Sequence, residues 1–288
     1  MLIKSRKSRR LTQRIALGVL ILATISVSAI TLLIIIEIVA RGAGAIGWSF
    51  LTQDPSQAGK AGGIFPAIIG TFYLMIGTLI LSLPVGILAG VYLAEYAPRN
   101  WLTRIINMAI LNLAGVPSIV YGLFGLGVFV LALDFGLSLL SASLTLACQA
   151  LAMTITTSRE ALIAVPKDYR EGSLAIGATK WQTIWHVILP QARPGIITGA
   201  VLAMSRAAGE TAPILVVGAA FILPGLPDSV FDQFMALPYH LYTVAAHVPG
   251  MPRATVWGVA LVLLVVVLFF NILATVIRLR SRQRRHGL

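Results

Sequence analysis

The sequence predicts an all-α integral membrane protein with six transmembrane helices, on the basis of its composition, its apolar segments and its charge distribution. Of the 288 residues, 58% are hydrophobic and 11% are charged, whereas ordinary soluble domains carry about 25% charged residues. With a mean hydropathy of +0.90, the chain has too few polar residues to cover a soluble surface. The composition therefore places the chain in a membrane.

Six apolar segments are each near or above the roughly 20 residues that a helix needs to cross a bilayer. They span approximately residues 15–40, 64–94, 105–133, 137–157, 195–223 and 254–277. The first follows a basic amino end, as in a signal peptide, but its apolar run exceeds the roughly 7–15 residues of a cleaved signal, so we expect a retained helix. Pro84 and Pro117 lie inside the second and third segments and predict kinks, because proline removes a helical hydrogen bond.

Lysine and arginine residues orient these segments, because cytoplasmic loops of membrane proteins carry an excess of them. Eighteen of the 22 lie at the two chain ends or in the loops at residues 95–104 and 158–194. The others are Arg41, Lys60 and Arg253 in the opposite loops and Arg206 within the fifth segment. Both termini are therefore predicted to be cytoplasmic, which requires an even number of spans. The net charge of +12 reflects this topology and not nucleic-acid binding.

The outer loops contain residues typical of turns, and the sequence contains no known enzyme motif. Residues 41–63 are rich in Gly, Ser and Gln, which predicts a flexible connection, and five prolines in residues 224–252 predict short, broken helices. The spacing of His240 and His247 defines no metal site, and the lone Cys148 is expected to serve packing. The sequence has no Walker A motif, zinc-protease pair or nucleophile elbow, so we expect neither catalysis nor a bound metal.

Two opposite charges lie in the middle of the fifth apolar segment, residues 195–223. A charge at mid-bilayer costs on the order of 2.5–3.5 kcal/mol, so it usually faces a protein interior or a polar pathway. Arg206 and Glu210 are four residues apart and share a helix face, which allows either a static salt bridge or a substrate pathway. We favour a pathway that includes Thr211, because a guanidinium offers several donors to an anion. Pro213 predicts a local irregularity of the helix.

The polar loop at residues 158–194 predicts two short helices. Asp168, followed three positions later by Glu171, fits a helix N-cap, and the first helix would run over residues 169–176. Gly177 then supplies a permissive backbone position for its end.

A Thr-x-x-Gln capping box predicts the start of the second short helix. It comprises Thr179 and Gln182, and the helix would cover residues 180–189 before Pro190. A plain connection between the fourth and fifth spans, lying at the lipid interface, is the alternative interpretation of the whole loop.

Three features of this loop resemble the EAA loop of the ABC importer permeases. They are Glu171-Gly172-Ser173, Gly177 and Ile188-Leu189-Pro190. The resemblance implies a coupling helix that docks into a groove on a cytoplasmic ATPase subunit, although Gly172 and Ser173 stand where the motif prefers alanine. The implied coupling residues are Tyr169, Arg170, Glu171, Gly172, Ser173, Leu174 and Gly177.

A narrower resemblance covers residues 66–280 and is carried by several blocks in order. They are Tyr169 to Ile184, Pro117 to Gly125, Arg206 to Pro213, Leu237 to Tyr242, and Asn271 to Ala274 with the basic tail. These blocks are similar to the phosphate importer permeases of the PstA type. One departure is Thr156, near which many such permeases have an arginine; Arg159 follows three positions later and either substitutes for it or marks the membrane edge.

The resemblance implies the type I ABC importer permease fold and a division of the chain. Residues 1–63 would hold the basic amino end, the first helix and an outer loop. Residues 64–280 would form the permease domain, with the coupling loop at 158–194, and residues 281–288 a basic cytoplasmic tail. The chain would form half of a phosphate pathway through Arg206, Glu210 and Thr211 in a bacterial inner membrane.

The implied partners are a second permease subunit of the PstC type, a dimer of ATPase subunits of the PstB type, an extracytoplasmic phosphate-binding protein of the PstS type, and membrane lipids. No nucleic acid is expected. This chain would bind no cofactor, while ATP and Mg would be used by the partner ATPase. The alternatives are a permease subunit for another oxyanion (sulfate, molybdate or phosphonate) and a secondary transporter.

Overall fold

A computed structural model describes residues 6–223 and 225–286, and nearly all of its regular structure is helical. The α-helices are α1 (Arg6–Gly42), α2 (Trp48–Thr52), α3 (Phe65–Val91), α4 (Trp101–Ala114), α5 (Ser118–Gly125), α6 (Leu139–Ile163), α7 (Lys167–Ala175), α8 (Lys180–Gln182), α9 (Leu189–Gly209), α10 (Leu237–Ala246) and α11 (Arg253–His286). Short π-helical stretches continue α3 over Tyr92–Tyr96, continue α5 over Leu126–Ala132, and join α8 to α9 over Thr183–Ile188.

Within residues 6–223 and 225–286, five helical stretches are long and apolar enough to cross a membrane, and a bent pair forms a sixth if it is counted as one span. The five are Gln13–Ala45, Phe65–Tyr96, Leu139–Ile163, Lys180–Gly209 and Arg253–Ile277. The pair joins α4 to α5 and its continuation, with a bend of 100°. This agrees with the predicted all-α membrane fold.

The predicted third span, residues 105–133, is the one that the structure divides. The break lies where Pro117 precedes α5, because proline disfavours helical geometry in the residue before it. None of the residues of α4 is buried. The kink predicted at Pro117 is thus a sharp turn, whereas α3 continues through Pro84 as one helix.

The fifth span differs from the predicted residues 195–223 at both ends. The second loop helix does not stop before Pro190, because a π-helical stretch widens the backbone there and the helix continues to Gly209. At its other end the backbone of Glu210 is extended, with φ −74° and ψ 125°. Pro213 follows in the irregular segment after this break, as the sequence predicted.

The helices α3, α6, α9 and α11 pack together as the centre of the bundle, and α1 lies against α11. Small residues allow close approach between α3 and α6: a Cβ atom added at Gly90 would lie 2.7 Å from the Cβ of Ser158. None of the residues in the most apolar stretch of α1 is buried by the rest of the described chain. Its apolar side chains therefore face lipid or another subunit.

The outer loops contain short elements of regular structure. Residues 41–63, predicted as a flexible connection, hold α2 and the antiparallel strands β1 (Pro55–Ser56) and β2 (Ala61–Gly62). The second outer loop contains α10, which agrees with the predicted short helices. His240 on α10 is 1% exposed and its ring stacks on Phe221 with centroids 5.5 Å apart, so this histidine is a packed residue.

Candidate functional site

Arg206 and Glu210 form an ion pair at the carboxyl end of α9. Arg206 Nε donates to Glu210 Oε1 over 3.1 Å. The Arg206 side chain is 55% exposed and that of Glu210 is 16% exposed. Because α9 ends at Gly209, Glu210 lies at the helix end and reaches back to the last turn. The arginine therefore faces outward from this chain, while the carboxylate is directed into it.

Gln149 on α6 is a third member of this cluster. Its Nε2 donates to Glu210 Oε1 over 2.6 Å, so one carboxylate oxygen accepts hydrogen bonds from two helices. The amide oxygen of Gln149 is buried and has no hydrogen-bond partner among the described residues. The pairing of the Gln149 side chain with Glu210 was not predicted from the sequence.

The space beside this cluster is too small for an oxyanion. A cavity of about 20 Å³, lined by Gln149, Met153, Arg206 and Glu210 among others, lies between α6 and α9. This is close to the space that one water molecule needs. An anion that contacts Arg206 must therefore approach from the exposed side of the guanidinium, at the surface of this chain.

Neither Thr211, the third predicted pathway residue, nor Arg159 forms a side-chain bond with this ion pair in the described part of the chain. Thr211 follows the helix end, and its carbonyl oxygen accepts from the Leu215 backbone N–H over 3.2 Å. No hydrogen bond from the Thr211 side chain is found in the described part of the chain. Arg159 lies ten residues beyond Gln149 on α6, about 15 Å along the helix axis. It therefore does not join Arg206, and it lines a different cavity on the side of the loops.

The helix α7 contains most of the predicted coupling residues, and its start differs from the prediction. It begins at Lys167 after Pro166, without a side-chain cap, so Asp168 is not the N-cap. The proline fixes the backbone at the boundary, and Asp168 lies in the first turn, where a negative charge favours the helix dipole. The chain leaves the helix through Gly177, whose φ of +86° requires a permissive residue, as predicted.

One set of side chains on α7 is exposed and includes apolar residues. Tyr169 is 48% exposed, Leu174 50% and Ile176, just beyond the helix, 86%. Glu171 and Gly172 are also exposed, and a Cβ atom added at Gly172 would have no heavy atom within 4 Å. The exposed side of α7 therefore allows a partner to approach closely at Gly172, which has no side chain.

Arg170 points the other way, into the protein. Its guanidinium donates to Glu95 Oε1 from Nη2 over 2.7 Å, and to the carbonyl oxygens of Val165 and Leu162 over 2.6 and 2.7 Å. The Arg170 and Glu95 side chains are only 20% and 10% exposed. Arg170 thus anchors α7 to the end of α6 and to the π-helical end of the second span.

A second anchor joins α7 to the following helix. Ser173 Oγ lies 2.9 Å from Thr183 Oγ1, and both residues are buried. The predicted capping box of Thr179 and Gln182 is present and starts α8. Glu95 was not predicted as part of this site, since 75 residues separate it from Arg170. The only local signal was its carboxylate at the end of an apolar span.

The membrane-length helices define a multi-pass helical membrane protein, and α7 and α8 form a structured loop between its fourth and fifth spans. Residues 83–283 match the family described as "Binding-protein-dependent transport system inner membrane component". The chain therefore belongs to this family, and it is a multi-pass inner membrane component of a transport system.

Individual relatives agree with this assignment. The chain is 33% identical to the probable ABC transporter permease protein YqgI of Bacillus subtilis, covering 93% of this chain and 95% of that protein. It is 36% identical to the phosphate transport system permease protein PstA 1 of Mycobacterium tuberculosis, covering 86% and 81%. The fold resembles a subunit of the bacterial alginate ABC transporter in complex with an alginate-bound periplasmic protein, with a TM-score of 0.62, 16% identity and 96% of each chain covered. The predicted ABC importer permease fold is confirmed.

Proposed function

We propose that this protein is the membrane-spanning permease subunit of an ATP-driven phosphate importer and forms half of the translocation pathway. The observation that carries the proposal is Arg206, an exposed guanidinium within an apolar span. The relative named as a phosphate transport permease supports the choice of anion. A guanidinium binds phosphate oxygens through a planar set of donors, which lysine lacks.

Glu210 would keep this binding weak. When no anion is present, the carboxylate neutralises Arg206 across 3.1 Å. When an anion arrives at the exposed side, Glu210 keeps its bond to Gln149 and is not left without a partner. The arginine can thus exchange one acceptor for another, which suits a residue that must release its ligand.

The exposed face of α7 would dock on a cytoplasmic ATPase subunit, where ATP and Mg would bind. Support comes from the apolar exposure of Tyr169, Leu174 and Ile176 and the open space at Gly172. Arg170 would act as a positioning residue that transmits movement of α7 to the second span through Glu95. Both termini would lie in the cytoplasm, and a second permease subunit and an extracytoplasmic phosphate-binding protein would complete the importer.

Uptake of labelled phosphate by the reconstituted complex tests the proposed function. We expect Arg206→Gln combined with Glu210→Gln to assemble but to lose uptake, because the neutral pair removes the anion contact without leaving a buried charge. Arg206→Lys should assemble and transport poorly. Wild-type uptake by the double variant would make the pair a static salt bridge. Competition by sulfate and arsenate in the same assay decides between phosphate and another oxyanion.

A further inference from the structure

A large basic cavity lies at the carboxyl end of α6 and is separate from the Arg206 cluster. Its volume is about 970 Å³, and it opens between α4, the loop before it, and the α6–α7 junction. Five cationic side chains line it: Arg99, Arg104, Arg159, Lys167 and Arg170. The charge distribution puts this end of the bundle at the cytoplasmic surface of the membrane.

Only Arg170 among these cations forms an ion pair with a described residue, and its partner is Glu95. Among residues 6–223 and 225–286, none of the other four forms an ion pair. Glu171 is the one carboxylate in the lining, and it is exposed. The Nε of Arg159 is buried without a hydrogen-bond partner in the described part of the chain. Arg159 thus brings to the cavity lining a guanidinium that has no carboxylate partner among the described residues.

The rest of the lining combines the polar residues Asn100, Thr103 and Asn107 with apolar residues, several of them on the exposed helix α4. Trp101, Met108, Leu111 and Ile163 contribute to it, and Trp101 is 72% exposed. Tryptophan is enriched where a membrane meets water. A basic rim beside an apolar wall, at the level of the cytoplasmic leaflet, matches a phosphate headgroup together with the start of its acyl chains.

We propose that this cavity binds a phosphate-bearing anion through Arg104 and Arg159, and that the anion is the headgroup of an anionic phospholipid. The volume lies in the range of roughly 300–1,000 Å³ typical of pockets for organic ligands, much larger than a free phosphate ion needs. Free phosphate shares the charge chemistry but makes no use of the apolar wall. The site thus anchors α4 and the base of α7 to the inner leaflet.

Native mass spectrometry of the purified complex tests this proposal. The complex is incubated with phosphatidylglycerol or phosphatidylcholine, and the retained lipids are counted. We expect phosphatidylglycerol to be retained in preference to phosphatidylcholine, and retention to fall several-fold in Arg104→Gln and in Arg104→Gln with Arg159→Gln. Arg104 is exposed, so the single variant should fold. Arg193→Gln, an exposed arginine outside the cavity, is the matched control and should retain lipid normally.

A second arm, equilibrium dialysis with labelled inorganic phosphate, separates the two sources of the anion. Binding of inorganic phosphate that depends on Arg104 and Arg159, without retained phosphatidylglycerol, would keep the phosphate-bearing anion and overturn the lipid. If neither ligand depends on these arginines, the site does not exist. Loss of the ATPase subunit from the Arg104→Gln complex with unchanged lipid retention would also overturn the proposal, because the basic rim would then bind protein. Lipid retention does not require transport, so this result is independent of the uptake assay.

Discussion

Removal of Glu95 tests whether the buried ion pair with Arg170 holds α7 in place. In Glu95→Gln the guanidinium keeps its bonds to the carbonyl oxygens of Leu162 and Val165 but loses its counter-charge. In Arg170→Met the carboxylate of Glu95 is left in a site where it is only 10% exposed. We therefore expect Arg170→Met to be the more damaging of the two variants.

The size of the effect follows from burial. Removing one partner of a buried pair costs about 3–5 kcal/mol, and a lost bond to a charged group about 1.5–3 kcal/mol. Arg170→Met should thus lower the midpoint of thermal unfolding by on the order of 6–20 °C, given the roughly 2–4 °C per kcal/mol of a domain of 150–250 residues. Glu95→Gln should lower it by about half as much.

The thermal midpoint can be followed by labelling of Cys148, the single cysteine, which is partly buried in the fold. Glu37→Gln is the matched control, because the Arg41–Glu37 pair is exposed at 53% and 51% and such pairs contribute at most about 1 kcal/mol. If Arg170→Met and Glu37→Gln shift the midpoint equally, Arg170 is not an anchor. If Arg170→Met unfolds early but retains coupled uptake at low temperature, its role is structural and does not include transmission.

Three further predictions concern other parts of the chain. Gly172→Trp should insert normally, since no atom of the described residues lies within 4 Å of an added Cβ. It should lose ATPase association in a pull-down, whereas Gly172→Ala should keep it; equal association of the two variants would refute docking at Gly172. With Cys148→Ser and Ile176→Cys, an impermeant thiol reagent should label inverted vesicles and not intact cells, and labelling of cells would reverse the topology. Burial lowers the pKa of His240 below its ordinary 6.5, so below about pH 6.5 the unfolded state takes up a proton that the folded state resists. The unfolding midpoint should fall as the pH drops through this range, and His240→Phe should remove that fall.

The two ends of the fifth span show which helix boundaries could be predicted from the sequence and which could not. The capping box at Thr179 and Gln182 was predictable because both of its hydrogen bonds span three residues. The helix end at Glu210 was not, because hydropathy is equally high whether residues 210–223 are helical or irregular. The predicted end of the second loop helix before Pro190 was wrong, because the π-helical stretch before this proline lets the helix continue. This adjustment has no signature in the local sequence.

The residues of the candidate sites were also predictable only in part. Arg206 and Glu210 were found because a charged residue in an apolar span is conspicuous. Arg170 was correctly assigned to the loop helix, but its direction was not predictable. Its partner Glu95 lies 75 residues away, and only the packing of the second and fourth spans brings the two together. Side-chain direction on a short helix depends on such tertiary partners more than on spacing.

The exposure of Arg206 implies that this chain alone does not enclose a pathway. The guanidinium is 55% exposed, and the cavity behind it, about 20 Å³, has no room for an oxyanion. A half-exposed cation that faced lipid within the membrane would carry an energetic cost. A second polar surface opposite Arg206 would remove that cost and complete a passage between two subunits. The unburied face of the arginine is therefore the place where a partner permease and the transported anion would meet.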